Sequence, residues 1–140
     1  EVVARFAHGL ALTRELLQVP EDWALVYVPG SDTGAVEAAL WNLLGARRVQ
    51  VMAFENFGKV WATDVRDHLK LEPEVLTAPW GRFPDVSKVD PAADLVLPWN
   101  GTTSGVRAPG GDWIAADREG LVICDATSAA FAMPLPWDRL

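Results

Sequence analysis

Four short clusters of polar and aromatic residues carry the chemistry this sequence can offer. They are Ser31-Asp-Thr33, Asn56-Phe57, Asn100-Gly-Thr102 and Asp125-Ala-Thr-Ser128. The first lies at the start of a helical repeat. Free amides at a helix start, aided by the helix dipole, favour a phosphate or another anion. The second cluster supplies a flat ring for stacking, and the third a hydroxyl donor at Thr102. The fourth supplies a carboxylate, Asp125, directly after the apolar run Leu121-Val-Ile-Cys124. Neither nucleotide fingerprint applies. There is no Gly-Lys-Ser/Thr phosphate loop and no Gly-x-Gly-x-x-Gly.

Positioning these clusters falls to alternating apolar strands and amphipathic helices. An opening helix runs to about Leu17, with Val3, Phe6, Leu10 and Leu17 on one face, and stops at Val19-Pro20. The apolar run 24–28 is expected to be a strand that stops at Pro29-Gly30. In the next helix Val36, Ala39, Leu40, Leu43 and Leu44 keep helical spacing, and Gly45 falls at its end. Residues 49–54 form a strand, 55–58 a turn, and a helix continues to about Leu69. Short strands follow at 74–78, 94–97 and 121–124, separated by loops rich in proline and glycine. This alternation implies an α/β fold, a mostly parallel sheet with helices on both faces. In such sheets ligands bind beyond the carboxyl ends of the strands. Each of the four clusters follows an expected strand, so all four converge on one edge.

Bulk properties narrow the function classes. The chain has 140 residues, half of them hydrophobic, which suits one domain with a real core. A net charge of −7 argues against a nucleic-acid surface. No apolar run approaches the ~18 residues of a membrane span, and no secretory signal is visible. The single cysteine, Cys124, lies within an apolar strand and is expected to be a core thiol in a reducing, cytoplasmic setting. Residue 1 falls inside a helical pattern, and the last residues end without a closing element. The chain is therefore expected to be an excerpt of a longer protein.

Gly30-Ser-Asp-Thr-Gly-Ala-Val-Glu, Glu55-Asn-Phe-Gly-Lys-Val-Trp-Ala, Trp99-Asn-Gly-Thr-Thr-Ser-Gly-Val-Arg107 and Cys124-Asp-Ala-Thr-Ser-Ala-Ala-Phe131 stand in the order and spacing of a known family. Together they resemble class V (fold type I) pyridoxal-phosphate aminotransferases, with the phosphoserine aminotransferases as the nearest branch. The resemblance covers essentially the whole chain, as part of the cofactor-binding large domain over 1–140. It implies pyridoxal 5'-phosphate as cofactor, amino-acid and oxo-acid substrates, and a homodimer. It implies that Ser31, Asp32 and Thr33 hold the cofactor phosphate, and that Phe57 stacks on the pyridine ring, with Trp61 as the alternative. Thr102 would contact the phenolic oxygen and Asp125 the pyridine nitrogen, and Ser128 would contact the phosphate. The family's Schiff-base lysine follows the aspartate strand, whereas Lys59, Lys70 and Lys88 all precede Asp125. The excerpt alone is thus expected to be inactive. The N-terminal segment, the lysine region and the C-terminal small domain would lie outside it.

Structural readings stand beside these roles. Asp125 could cap a turn, Thr102, Thr103 and Ser128 could fix the backbone, and Phe57 could be core. Trp61, Trp23, Trp41, Trp80, Trp113 and Trp137 are expected in core or interface positions, and His8 and His68 are expected to bind no metal. Arg107, after the Thr-Thr-Ser-Gly turn, could reach an anion, but a surface ion pair is the expected role. Two competing functions remain: another class V member of the alanine– or serine–glyoxylate type, and a non-catalytic α/β domain binding a phosphate ligand at the Ser31 turn.

Overall fold

The computed structural model describes residues 1–140. Helices α1 (Val2–Leu17) and α2 (Asp32–Leu43) come first, then strand β1 (Val49–Met52) and helix α3 (Asn56–Asp67). Strand β2 (Glu74–Leu76), a 3-10 turn (Val86–Lys88), and strands β3 (Asp94–Pro98) and β4 (Val122–Asp125) complete the order. The strands form one fully parallel sheet in the order β2-β1-β3-β4. The parallel α/β fold is the one the sequence implies.

Side chains alternate across a strand, so each strand feeds two layers. Val49, Val51, Val96 and Ile123 pack with Leu40 of α2 and with Trp61, Ala62 and Val65 of α3. On the opposite face Met52, Leu95 and Leu97 pack with Phe54, Trp99, Ala108, Ile114 and Ala129. Here the sheet is covered by irregular chain rather than by helices, with Phe83, Trp113, Met133 and Leu135 filling in. Prolines and glycines recur through 79–111, at Pro79, Gly81, Pro84, Pro91, Pro98, Gly101, Gly105, Pro109, Gly110 and Gly111, and they exclude a helix there.

One expectation fails near the amino terminus. Residues 24–28 are extended but belong to no strand, and Val26 is 71% exposed. An apolar β-prone run becomes a strand only when a neighbour accepts its backbone bonds. This run is instead tethered to α1: Arg14 donates to the Trp23 carbonyl at 2.7 Å, and the Thr13 and Tyr27 hydroxyls bond at 2.5 Å. Helix α1 forms as its apolar spacing predicts, but it buries no residue. Its C-terminal end is held by the Trp137 indole, which donates to the Leu17 carbonyl at 2.8 Å.

The amino edge of the sheet carries a buried polar cluster, in which Asp94 Oδ2 and one Arg118 Nη have no hydrogen-bond partner. Asp94 is fully buried and accepts from the Leu121 amide at 2.8 Å, with Arg47 at 3.6 Å. Arg118 donates to the Gly120 carbonyl at 2.8 Å and also to that of Ala93. The carboxyl edge differs because strand order reverses there. From β1 the chain crosses through α3 to β2 on one side, whereas β3 lies on the other side of β1. The connection after β1 runs over one face and the connection after β3 over the other. Such a reversal opens a crevice between the two strand ends, the usual ligand position in parallel sheets.

Candidate cofactor site

The turn after β1 is built on Glu55. This fully buried residue is the N-cap of α3, and its Oε1 accepts from the Gly58 amide at 2.8 Å. A Cβ on Gly58 would lie 2.4 Å from the Met52 carbonyl oxygen, so only glycine lets the helix start this close to the strand. That packing places Phe57 at the head of α3 with 41% of its surface exposed and no part in either core cluster. Trp61, one turn further, is 2% exposed and belongs to the core between α3 and the sheet. It presents an indole N–H rather than an open ring face.

The turn after β3 folds back on itself. Gly101 donates to the Val106 carbonyl at 2.7 Å, and Asn100 bridges Arg107. A Cβ on Gly101 would meet Ser104 Oγ at 2.2 Å and Glu55 Cγ at 2.8 Å. The two turns flanking the crevice therefore touch through Gly101 and Glu55. Glu55 Oε2 is buried there without a hydrogen-bond partner. Arg107 is exposed and makes no ion pair, contrary to the expected surface salt bridge. The nearest reason is local: its backbone is committed to the bridge with Asn100, and no carboxylate lies within reach.

The turn after β4 joins the same edge. Pro98 and Asp125 are paired in register, and the Trp99 amide donates to the Asp125 carbonyl at 2.8 Å. Thr102 Oγ1 lies 2.9 Å from Ser128 Oγ, which also accepts from Asn100 Nδ2 at 3.0 Å. Asp125 Oδ1 accepts from the Thr127 amide at 3.1 Å and from the Thr127 hydroxyl at 2.7 Å. Asp125 Oδ2 accepts from Trp61 Nε1 at 3.1 Å. Next to it, Cys124 points into the core. Burial, and then the negative charge of Asp125, push its thiol up to about 12, so it is no nucleophile at neutral pH.

Ser31 caps α2, its Oγ accepting from the Gly34 amide at 3.4 Å. Ser31, Asp32 and Thr33 are exposed, and Asp32 sits in the first turn, where its charge suits the helix dipole. No hydrogen bond ties these three residues to the other turns. The structure thus brings Phe57, Thr102, Asp125 and Ser128 together around the ends of β1, β3 and β4, and leaves the Ser31 turn separate from that network. Glu55, Gly101 and Thr127 were not singled out from the sequence. A glutamate three residues before a glycine at a strand end was the available signal for Glu55. No sequence signal marked the Trp61–Asp125 bond, which spans 64 positions.

The set fits a flat, phosphorylated, N-heterocyclic cofactor in its chemistry. It has an anionic acceptor with room for one more donor, an exposed ring and paired hydroxyls, while the start of α2 at Ser31 stands apart from it. Solved aminotransferases share the fold. Phosphoserine aminotransferase from Cytophaga hutchinsonii superposes with a TM-score of 0.76 at 21% identity, over 91% of this chain and 36% of that one. Alanine–glyoxylate aminotransferase from Nostoc sp. gives 0.75 at 21% identity, over 90% and 35%. The fold of this chain is therefore the one found in part of these two solved structures. At the level of sequence, the chain is 50% identical over 137 residues to phosphoserine aminotransferase from Methanosarcina barkeri, which is 97% of this chain. It spans 37% of that relative's length. No family model matches.

Proposed function

We propose that the chain forms the cofactor-binding floor of a pyridoxal-phosphate-dependent phosphoserine aminotransferase. The observation that carries this reading is the 50% identity along nearly the whole chain, laid over a strand-order reversal whose rim holds Phe57, Thr102 and Asp125. The reaction would move an amino group between glutamate and 3-phosphohydroxypyruvate. When bound, the cofactor supplies an electron sink for the charge left at the substrate Cα.

In this reading each residue has a definite task. The amides of Ser31, Asp32 and Thr33 hold the phosphate, fixed in place and unable to lose charge complementarity with pH. Phe57 restrains one face of the ring without adding charge. Thr102 donates to the phenolic oxygen, and Ser128 assists at the phosphate. Asp125 accepts from the ring nitrogen and keeps its proton in place, a charge-assisted bond of about 1.5–3 kcal/mol. None of the three lysines follows Asp125, so none of them is assigned as the covalent partner of the cofactor. A homodimer and a cytoplasmic location belong to the same proposal.

The shared fold of the glyoxylate-using relative favours one rival, a glyoxylate aminotransferase. Steady-state assays of the intact protein with glutamate and 3-phosphohydroxypyruvate, against alanine or serine with glyoxylate, separate the two. A higher kcat/KM for the phosphorylated oxo acid supports the proposal. Preference for glyoxylate overturns it.

A further inference from the structure

Asp125 is held by two residues that the cofactor reading leaves without a task. An ionised carboxylate offers about four lone-pair positions. On Oδ1, two are taken by the Thr127 amide and hydroxyl, at 3.1 and 2.7 Å. On Oδ2, one is taken by the indole N–H of Trp61 at 3.1 Å. Only one position, on Oδ2, stays open.

Trp61 is well placed to enforce this. It is 2% exposed and wedged among Val49, Val51, Val65 and Val96, so its indole cannot swing away without opening the core. Its N–H has no other recorded partner, and a buried indole donor is costly to leave unpaired. The bond also links α3, which carries Phe57 at its head, to the end of β4, which carries Asp125. The stacking ring and the carboxylate are thereby set at a fixed distance by one buried side chain.

We propose that Trp61 and Thr127 are positioning residues for Asp125. Together they leave one oxygen of the carboxylate with a single open acceptor position and aim it into the crevice between the strand ends. The inference rests on the cofactor reading for its consequence, but the contact itself is independent of it.

The test uses the intact protein. In cofactor-free protein, the indole resonance of Trp61, assigned with Trp61→Phe, should move in Asp125→Asn, because the N–H then faces an amide. In titrations with pyridoxal phosphate, Trp61→Phe should weaken binding about tenfold. In the Asp125→Asn background it should add no further loss, since both changes act through one group. Thr127→Val should weaken binding similarly, and Thr127→Ser should restore it by returning the hydroxyl. The Thr127 pair carries the test if Trp61→Phe does not fold. An indole resonance unmoved by Asp125→Asn, or additive losses, or Thr127→Val binding as wild type, would overturn the proposal. A protein that binds no pyridoxal phosphate contradicts the functional reading, and the indole resonance then decides the contact alone.

Discussion

Phe57 and Cys124 show how position separates an exposed apolar residue from a packed one. Phe57 is an apolar residue on a helix, yet 41% of it is exposed and neither core cluster includes it. Phe57→Ala is therefore expected to change folding stability by no more than about 0.5 kcal/mol. It should still weaken pyridoxal phosphate binding several-fold, as read by denaturant melts beside a cofactor titration. Cys124 is the reverse case. Its thiol is raised from an ordinary 9.0 to about 12 because burial penalises the thiolate. The fold thus prefers the neutral form. Its contribution is complete below pH 9 and is lost as pH rises toward 12. Wild type should lose more stability over that window than Cys124→Ala, and a thiol reagent at neutral pH should label Cys124 only after unfolding.

Among the elements, the close approach of α3 to β1 sets the geometry of the rim. A Cβ at Gly58 would press to 2.4 Å on a backbone carbonyl that cannot move aside cheaply. Gly58→Ala is expected to cost about 1–3 kcal/mol, measured by chemical denaturation, although alanine is the better helix former. The periodicities of α2 and α3 and the apolar runs of β1, β3 and β4 were legible because these segments bury a regular face. Residues 24–28 misled for the opposite reason. Leu25-Val-Tyr-Val28 has the composition of a strand, but composition does not supply a pairing partner. The second layer, at Trp99, Ala108, Ile114 and Ala129, was illegible because irregular chain has no period to read. Within the site, strand-end clusters could be found from residue types. The Trp61–Asp125 and Glu55–Gly101 contacts could not, since nothing local in the sequence encodes a meeting across 64 or 46 positions.

At the scale of the whole molecule, the two edges of the sheet have different tasks. The amino edge holds the polar cluster of Asp94, Arg47 and Arg118, whereas the carboxyl edge keeps an exposed ring, paired hydroxyls and a carboxylate around a strand-order reversal. No helix is long and apolar enough to cross a membrane. The chain spans about a third of the length of the aminotransferases it matches. The central claim is that this carboxyl edge binds pyridoxal phosphate through Asp125. Titrating pyridoxal phosphate into the intact protein and into Asp125→Asn, followed by visible absorption, tests it most directly. The expected result is saturable binding with one cofactor per chain, weakened at least about tenfold in Asp125→Asn. Equal affinity in the two proteins, or no saturable binding to wild type, would contradict it.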